Sequence, residues 1–315
     1  MFSNNSSLIL ASVLVLAVSA WPAQAQLART YVSSFGNDAN DCNRLTPCRT
    51  FQRAHDNTLP LGEITVLDPG GYGAVNITKG ISIINDGVGE AGVLVSGGVI
   101  GIAISAGVSD NVSLRGLTVK GIGFGSGHGI RFSNGRSLTI ENCVVRNMID
   151  GIQLFGSGNF SVTNTLVTDS SNAGITFQPS GLVTVTATLN RVELYNKAPS
   201  NMIITGGGAT GTIKVTVADS VAAFGGPGSL GFAAQSAAGQ ATVHLTVVRS
   251  VAYRNGVGIH ANGSPTTVRV GQSVVTGNTA RSWGADNGAT LSSYGDNNID
   301  GNADGDPAPP TIAQK

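Results

Sequence analysis

Apolar residues in this chain recur in a fixed three-part figure. One apolar residue is followed three positions later by a small or apolar one, and two after that by another apolar one. The copies are Leu114, Leu117, Val119; Ile140, Cys143, Val145; Val162, Thr165, Val167; Leu189, Val192, Leu194; Val217, Ser220, Ala222; Val247, Ser250, Ala252; and Val270, Ser273, Val275, starting 22 to 30 residues apart. A second series, Ile102, Ile130, Ile152, Ile175, Met202, Leu230 and Ile259, keeps pace between them, mostly with Gly just before. Two interleaved registers with one period predict stacked coils.

Apolar residues separated by one position share a face of a strand, and the extra residue between pairs turns a corner. One coil alone cannot bury its inner face. Stacked coils merge those faces into a column of Ile, Val, Leu and Cys and pair as parallel strands. Earlier segments alternate in the same way: Ile64-Thr65-Val66, Val75-Asn76-Ile77, Ile81-Ser82-Ile83 and Val93-Leu94-Val95. A leucine-rich repeat needs helix formers, and a propeller blade needs about 40 to 45 residues. The pattern therefore predicts an all-β, single-stranded parallel β-helix, right-handed as parallel crossovers usually are.

Composition agrees. Of 315 residues, 44 are Gly, 11% are charged and 5% aromatic, which suits strands joined by tight turns. Eighteen basic and 18 acidic side chains leave no net charge, which argues against nucleic acid as a partner. Residues 1–25 read as a signal peptide: Leu8 to Val18 is apolar but too short to span a bilayer, and Ala23-Gln24-Ala25 is a small-x-small cleavage site. The mature chain then starts at Gln26 and is secreted or periplasmic, with no later transmembrane segment. Cys42 and Cys48 lie close together in a loop-rich segment and suit a disulfide in an oxidising compartment. Cys143 takes an inward register position, as a thiol filling core volume.

Within 26–62, Arg29 to Ser33 reads as a strand. Thr46 as N-cap, Pro47 at the first helical position, and Phe51 and Ala54 three apart predict a short capping helix. An open solenoid end exposes core and strand edge, so this helix is expected to act as a lid. Tyr31-Val32-Ser33, Gly36-Asn37-Asp38, Pro47-Cys48-Arg49-Thr50-Phe51 and Val66-Leu67-Asp68-Pro69-Gly70-Gly71-Tyr72 together resemble the N-terminal cap and first coil of secreted bacterial right-handed β-helix proteins of the pectin-lyase-like superfamily. The resemblance extends over nearly the whole mature chain. It implies a fold and leaves the activity open, since the same architecture serves lyases, hydrolases, epimerases, phage tailspikes and adhesins.

Coils are expected over 63–280, with loops at Pro199 to Gly208, Gly225 to Ser229 and Ala237 to Gln240. Residues 281–315 are expected to form a final coil, a C-terminal cap and a flexible tail; Ser293 to Asn298 resembles the closing motif of the same superfamily.

Function on such a rod falls on columns of outward side chains. With Ile130 and Phe132 inward, one column reads Arg131, Gln153, Thr176, Ile203, Gly231 and His260, and Arg131, Gln153 and His260 are the candidate sugar contacts. Lyases resembling this fold use Arg or Lys as base and usually Ca²⁺ held by Asp and Glu. Between Val112 and Ala280 the acids are Glu141, Asp150, Asp169, Glu193 and Asp219, and the register sets Glu141 and Asp169 on different corners. Arg131, His128, Arg146 and Arg254 are the basic residues an enzyme would draw on. Gly127-His128-Gly129-Ile130 matches one fragment of the fold's polygalacturonate hydrolases, but their paired aspartates are absent and inverting hydrolysis needs two opposed carboxylates. Asp300, Asn302, Asp304 and Asp306 are spaced like the first half of a calcium loop, with Thr311 where a closing Glu would stand, so Ca²⁺ is a possible structural cofactor. Asn147, Asp169, Asn196 and Asn278 recur near one corner and suit stacked amides.

These features favour a secreted, monomeric, non-catalytic β-helix that binds carbohydrate, a polysaccharide or cell-surface glycan, or serves as a cell-envelope interaction module. The alternative is a lyase acting on an acidic polysaccharide. An autotransporter passenger is disfavoured because no membrane β-barrel pattern follows the coils.

Overall fold

The computed structural model describes residues 26–123 and 127–313, so the expected signal segment lies outside the described residues. Each coil contributes to three parallel sheets. The first contains Ile81–Ile84, Asn111–Arg115 and Ser137–Glu141, the second Ala91–Val95, Leu117–Gly121 and Val144–Arg146, and the third Ile100–Ser105, His128–Asn134 and Asp150–Leu154. About ten such coils stack into a β-solenoid.

The predicted columns are the core. In the first sheet Ile64, Ile83, Leu114, Ile140, Val162, Leu189, Val217, Val247 and Val270 pair in one unbroken file. In the second, Val93, Val119, Val145, Val167, Leu194, Ala222, Ala252 and Val275 do the same. All of these side chains are buried. Cys143 is buried among them, and loss of water pushes its thiol up to about 11, so it stays protonated and inert.

The third-sheet file runs Ile102, Ile130, Ile152, Ile175, Met202, Phe232, Ile259, Trp283. Phe232 stands where Leu230 was expected, because the chain between Ala223 and Leu230 bulges and shifts the register; Leu230 pairs with Ser200 instead. The glycines ahead of this file have a steric cause. A Cβ on Gly129 would lie 2.3 Å from the carbonyl oxygen of Gly151, and one on Gly151 would lie 2.6 Å from that of Gly174. Only Gly lets successive coils approach this closely.

The two tight corners are built differently. Between the first and second sheets, one residue with positive φ (Asn142, Asn164, Arg191, Asp219, Arg249 or Gln272) bends the chain. The next side chain is a buried hydroxyl at Thr165, Ser220, Ser250 and Ser273, and Cys143 or Val192 in the other two coils. Ser220 Oγ donates to Ala218 O at 2.7 Å while accepting from Val192 N at 3.1 Å, and Ser250 and Ser273 repeat the pattern. Between the second and third sheets the ladder is made of amides: Asn255 N donates to Asn278 Oδ1 at 3.0 Å and Asn278 N to Asn302 Oδ1 at 3.1 Å. The expected asparagine series divides here. Asn147 and Asp169 occupy the positive-φ position, and Asn196 and Asn278 stand one residue later in the ladder.

Several local expectations are corrected. The helix is Phe51–Asn57 with Thr50 as N-cap, because Cys48 is held extended: its N donates to Tyr31 O at 2.9 Å and its O accepts from Ser33 N at 3.0 Å. Thr46 instead hydrogen-bonds to Asp41. The helix packs on the first strands and satisfies their free edge, with Asn76 N donating to Gln52 Oε1 at 2.8 Å and Thr78 N to His55 Nε2 at 3.2 Å. Cys42 and Cys48 form the expected disulfide. Ser200–Thr205 is a third-sheet strand, where a loop was expected over 199–208. The tail expected to be flexible returns to the rod: Ser293 N donates to Pro310 O at 2.8 Å, and Trp283 Nε1 to Pro307 O at 2.7 Å.

Candidate glycan-binding faces

The outward column of the third sheet is observed in register as Arg131, Gln153, Thr176, Ile203, Ala233 and His260. Ala233 replaces the expected Gly231 for the same reason that Phe232 replaces Leu230. At the N-terminal end of this column the polar groups hold one another. Arg131 Nε donates to Gln153 Oε1 at 2.6 Å, Gln153 Nε2 to Asp150 Oδ2 at 2.9 Å, and Asn172 Nδ2 to Asp150 Oδ1 at 2.6 Å. His128 Nδ1 lies 3.0 Å from Asp150 Oδ2, off the line of a straight hydrogen bond. Asp150 is 4% and Gln153 6% exposed, so the network is a rigid base. Arg131 also lies over Phe155, 5.5 Å from the ring centroid. Its Nε is committed to Gln153, and its two terminal nitrogens remain for an anionic group.

His260 is five coils beyond Arg131 and four beyond Gln153, about 24 and 19 Å at ~4.8 Å per coil, and Thr176, Ile203 and the buried Ala233 intervene. It does not join Arg131 and Gln153. His260 Nε2 lies 2.8 Å from Asp286 Oδ2, which Arg281 also holds, at 2.8 and 3.1 Å to the two carboxylate oxygens. The Arg281 guanidinium, and His260 after it, keep the Asp286 carboxyl well below the usual carboxylate range. His260 is thereby part of a closed ion cluster.

The basic candidates divide between faces. Arg146 projects from the second sheet beside Lys120 and Thr168, away from Arg131. Arg254 holds positive φ at the next corner and lies over Tyr253, 5.9 Å from its ring centroid. Glu141 faces outward on the first sheet and Asp219 pairs with Arg249, so no second carboxylate joins Asp150 from these positions.

The tail carboxylates are committed as well. Asp306 accepts from Gly301 N, Asn302 N and Asn302 Nδ2 at 2.7 to 2.9 Å, and Asp304 Oδ2 accepts from Ser282 N at 2.8 Å and Ser282 Oγ at 2.9 Å. At the end of the amide ladder these two carboxylates accept from N–H and O–H donors, where Ca²⁺ would need free oxygens. Among the described residues, no three His, Cys, Asp or Glu side chains are grouped to hold a metal. The calcium spacing in the sequence does not fit the donor set in space.

Reasoning from sequence missed the Asp150 anchor, although His128-Gly129-Ile130 and Asp150-Gly151-Ile152 are the same place in successive coils. It also missed an aromatic ladder on the second face. Phe224 lies between Tyr195 and Tyr253, with ring centroids at 5.7 and 5.6 Å.

The family model described as "Right handed beta helix region" matches residues 76–304. No curated protein matches the chain. Among solved structures, pectate lyase Pel9A has a TM-score of 0.54 at 15% identity, over 90% of this chain and 82% of its own. A rhamnogalacturonan lyase has a TM-score of 0.51 at 11% identity, over 89% of this chain and 88% of its own. At these identities the likeness is one of fold.

Proposed function

The chain belongs to the right-handed β-helix family, and from that premise we propose that it is a non-catalytic module binding an acidic polysaccharide or cell-surface glycan, with Arg131 as its anchor. The observation that carries this reading is the commitment of the groups around Arg131. Asp150 accepts from Asn172 and Gln153, with His128 Nδ1 close by, and Gln153 in turn fixes Arg131 Nε. The two terminal guanidinium nitrogens are thus set in advance for the carboxylate of an acidic sugar, which lowers the ordering cost of binding. The relatives of similar fold include enzymes named for pectate and rhamnogalacturonan, which directs attention to acidic plant polysaccharides as ligands. The Cys42–Cys48 disulfide supports a place outside the cytoplasm, as export by the expected signal peptide would give. No helix among the described residues is long and apolar enough to cross a membrane.

A second reading, lyase action on such a polysaccharide, is favoured by the proximity of His128 to Asp150. With Nδ1 3.0 Å from the carboxylate, His128 Nε2 would accept the proton α to a uronate carboxylate while Arg131, three positions along the strand, neutralises that carboxylate. Against it stands the lack of an acid beside them to protonate the leaving oxygen among the described residues. A screen of the mature protein against acidic polysaccharides, with and without Ca²⁺, separates the two. Binding without unsaturated product, weakened by Arg131→Ala, supports the module; unsaturated product that His128→Ala abolishes overturns it.

A further inference from the structure

One outward column of the second sheet runs Lys120, Arg146, Thr168, Tyr195, Ala223, Tyr253, each paired in register with the next. At its N-terminal end Lys120 and Arg146 stand on adjacent coils, like charges about 5 Å apart along the rod. Neither forms an ion pair among the described residues, and Arg146 Nε is buried without a hydrogen-bond partner. Both line a recess of about 450 Å³ together with Gly70, Gly71, Leu94 and Glu90. Two cations that form no ion pair, against a single carboxylate in the recess, leave the strip net positive and favour an anion.

Further along the same column lies the aromatic ladder. Phe224 has φ 63°, a region that bulky side chains avoid, at a corner where other coils place Asn147, Asp169, Arg254 or Gly277. It is nonetheless 51% exposed. A strained, half-exposed ring held between two tyrosines is poorly explained by core packing, and strain of this kind gathers at binding sites. Aromatic faces take the C–H faces of sugar rings, with the hydroxyls left to water and to nearby Arg254 and Glu193.

We propose that this column is a second glycan track, in which Lys120 and Arg146 hold the acidic groups of a polysaccharide while Tyr195, Phe224 and Tyr253 stack its sugar rings. It rests on the reading of the rod as a glycan binder, but not on the Arg131 face. The track spans five coil steps, about 24 Å, so it takes a chain of several sugars.

The test is calorimetry of the full mature chain with polygalacturonate and with a neutral 1,4-linked glucan oligosaccharide, on wild type, Arg131→Ala, Phe224→Asn and the double variant Lys120→Ser/Arg146→Ser. Asn suits positive φ, so Phe224→Asn is expected to leave the melting temperature unchanged or raised while lowering polygalacturonate affinity about five- to tenfold. The double variant alters two surface charges and is expected to erase the preference for the acidic chain. Arg131→Ala is expected to leave this component in place. Loss of binding in Arg131→Ala alone, with the other variants like wild type, overturns the track and leaves the Arg131 reading standing. Loss only in the track variants does the reverse. Wild type that binds neither polymer overturns both. A wild-type dimer in sedimentation that Phe224→Asn converts to monomer also overturns the track, because the ladder is then an interface between copies.

Discussion

The second and third faces of the rod carry similar residues and use them in opposite ways. Around Asp150 on the third face, Arg131, Gln153 and Asn172 are tied together by hydrogen bonds, and the ends of Arg131 and the His128 ring are left over. On the second face, Lys120 and Arg146 form no ion pair among the described residues, and Phe224 sits in a conformation that its side chain opposes. A satisfied network spends its chemistry on shape, whereas unsatisfied groups keep theirs for a partner. The same contrast appears within the coil, where the amide ladder is fully paired and therefore structural.

The largest effect should come from breaking that ladder. Asn255→Ala removes the acceptor for Asn201 Nδ2 and Gly225 N and the donor to Ala222 O. Buried groups left without partners predict a loss of about 3 kcal/mol in urea unfolding. Asn147→Gly, at an exposed positive-φ corner just before the ladder position of its coil, should cost far less. Arg131→Ala should weaken acidic-glycan binding by about 2 kcal/mol, the scale of a charged hydrogen bond, while changing stability by under about 0.5 kcal/mol. A stability loss equal to the binding loss would mean that the third-face network is purely structural. On the second face the sign should reverse in stability: Phe224→Asn should gain about 1 kcal/mol by relieving the backbone.

The smallest effect concerns the N-terminal helix. Burial pushes the His55 imidazole below its ordinary value, and Nε2 must stay unprotonated to accept from Thr78 N. Below about pH 6.5 the unfolded chain therefore takes up a proton that the folded chain resists, and stability falls with pH by at most about 1.4 kcal/mol per pH unit. His55→Gln keeps an acceptor and should flatten the stability profile from pH ~6.5 downward. A profile unchanged by the substitution would show that the helix edge does not depend on His55.

How much of this was legible in the sequence follows from what each pattern encodes. Inward positions were readable because burial imposes a period, and Ile140, Val162 and Leu189 do stand in one file. The glycines before the third-sheet file were visible as a habit, and the close carbonyl of the next coil supplies the reason. Register failed at Leu230 because a bulge between Ala223 and Leu230 adds residues that no hydrophobic period records. The helix start was misplaced because the extended pairing of Cys48 with Tyr31 and Ser33 is tertiary and outweighs the local preference of Thr46-Pro47. The sites were less legible than the core. Arg131 and Gln153 were found together since adjacency follows from the period alone. His260 shares their column but stands far along it and is held by Asp286, a pairing that the period does not record. The tail acids resembled a calcium loop in spacing, yet their oxygens are consumed by backbone and amide N–H groups that spacing cannot show.

The central claim is that the third face holds an acidic glycan and does not cleave it. Titration of the mature protein with polygalacturonate oligosaccharides, followed at once by calorimetry and by the absorbance of unsaturated product, tests it most directly. The account predicts saturable binding heat, weakened by Arg131→Ala, over a flat absorbance trace. Absorbance that climbs with time and disappears in His128→Ala would contradict it.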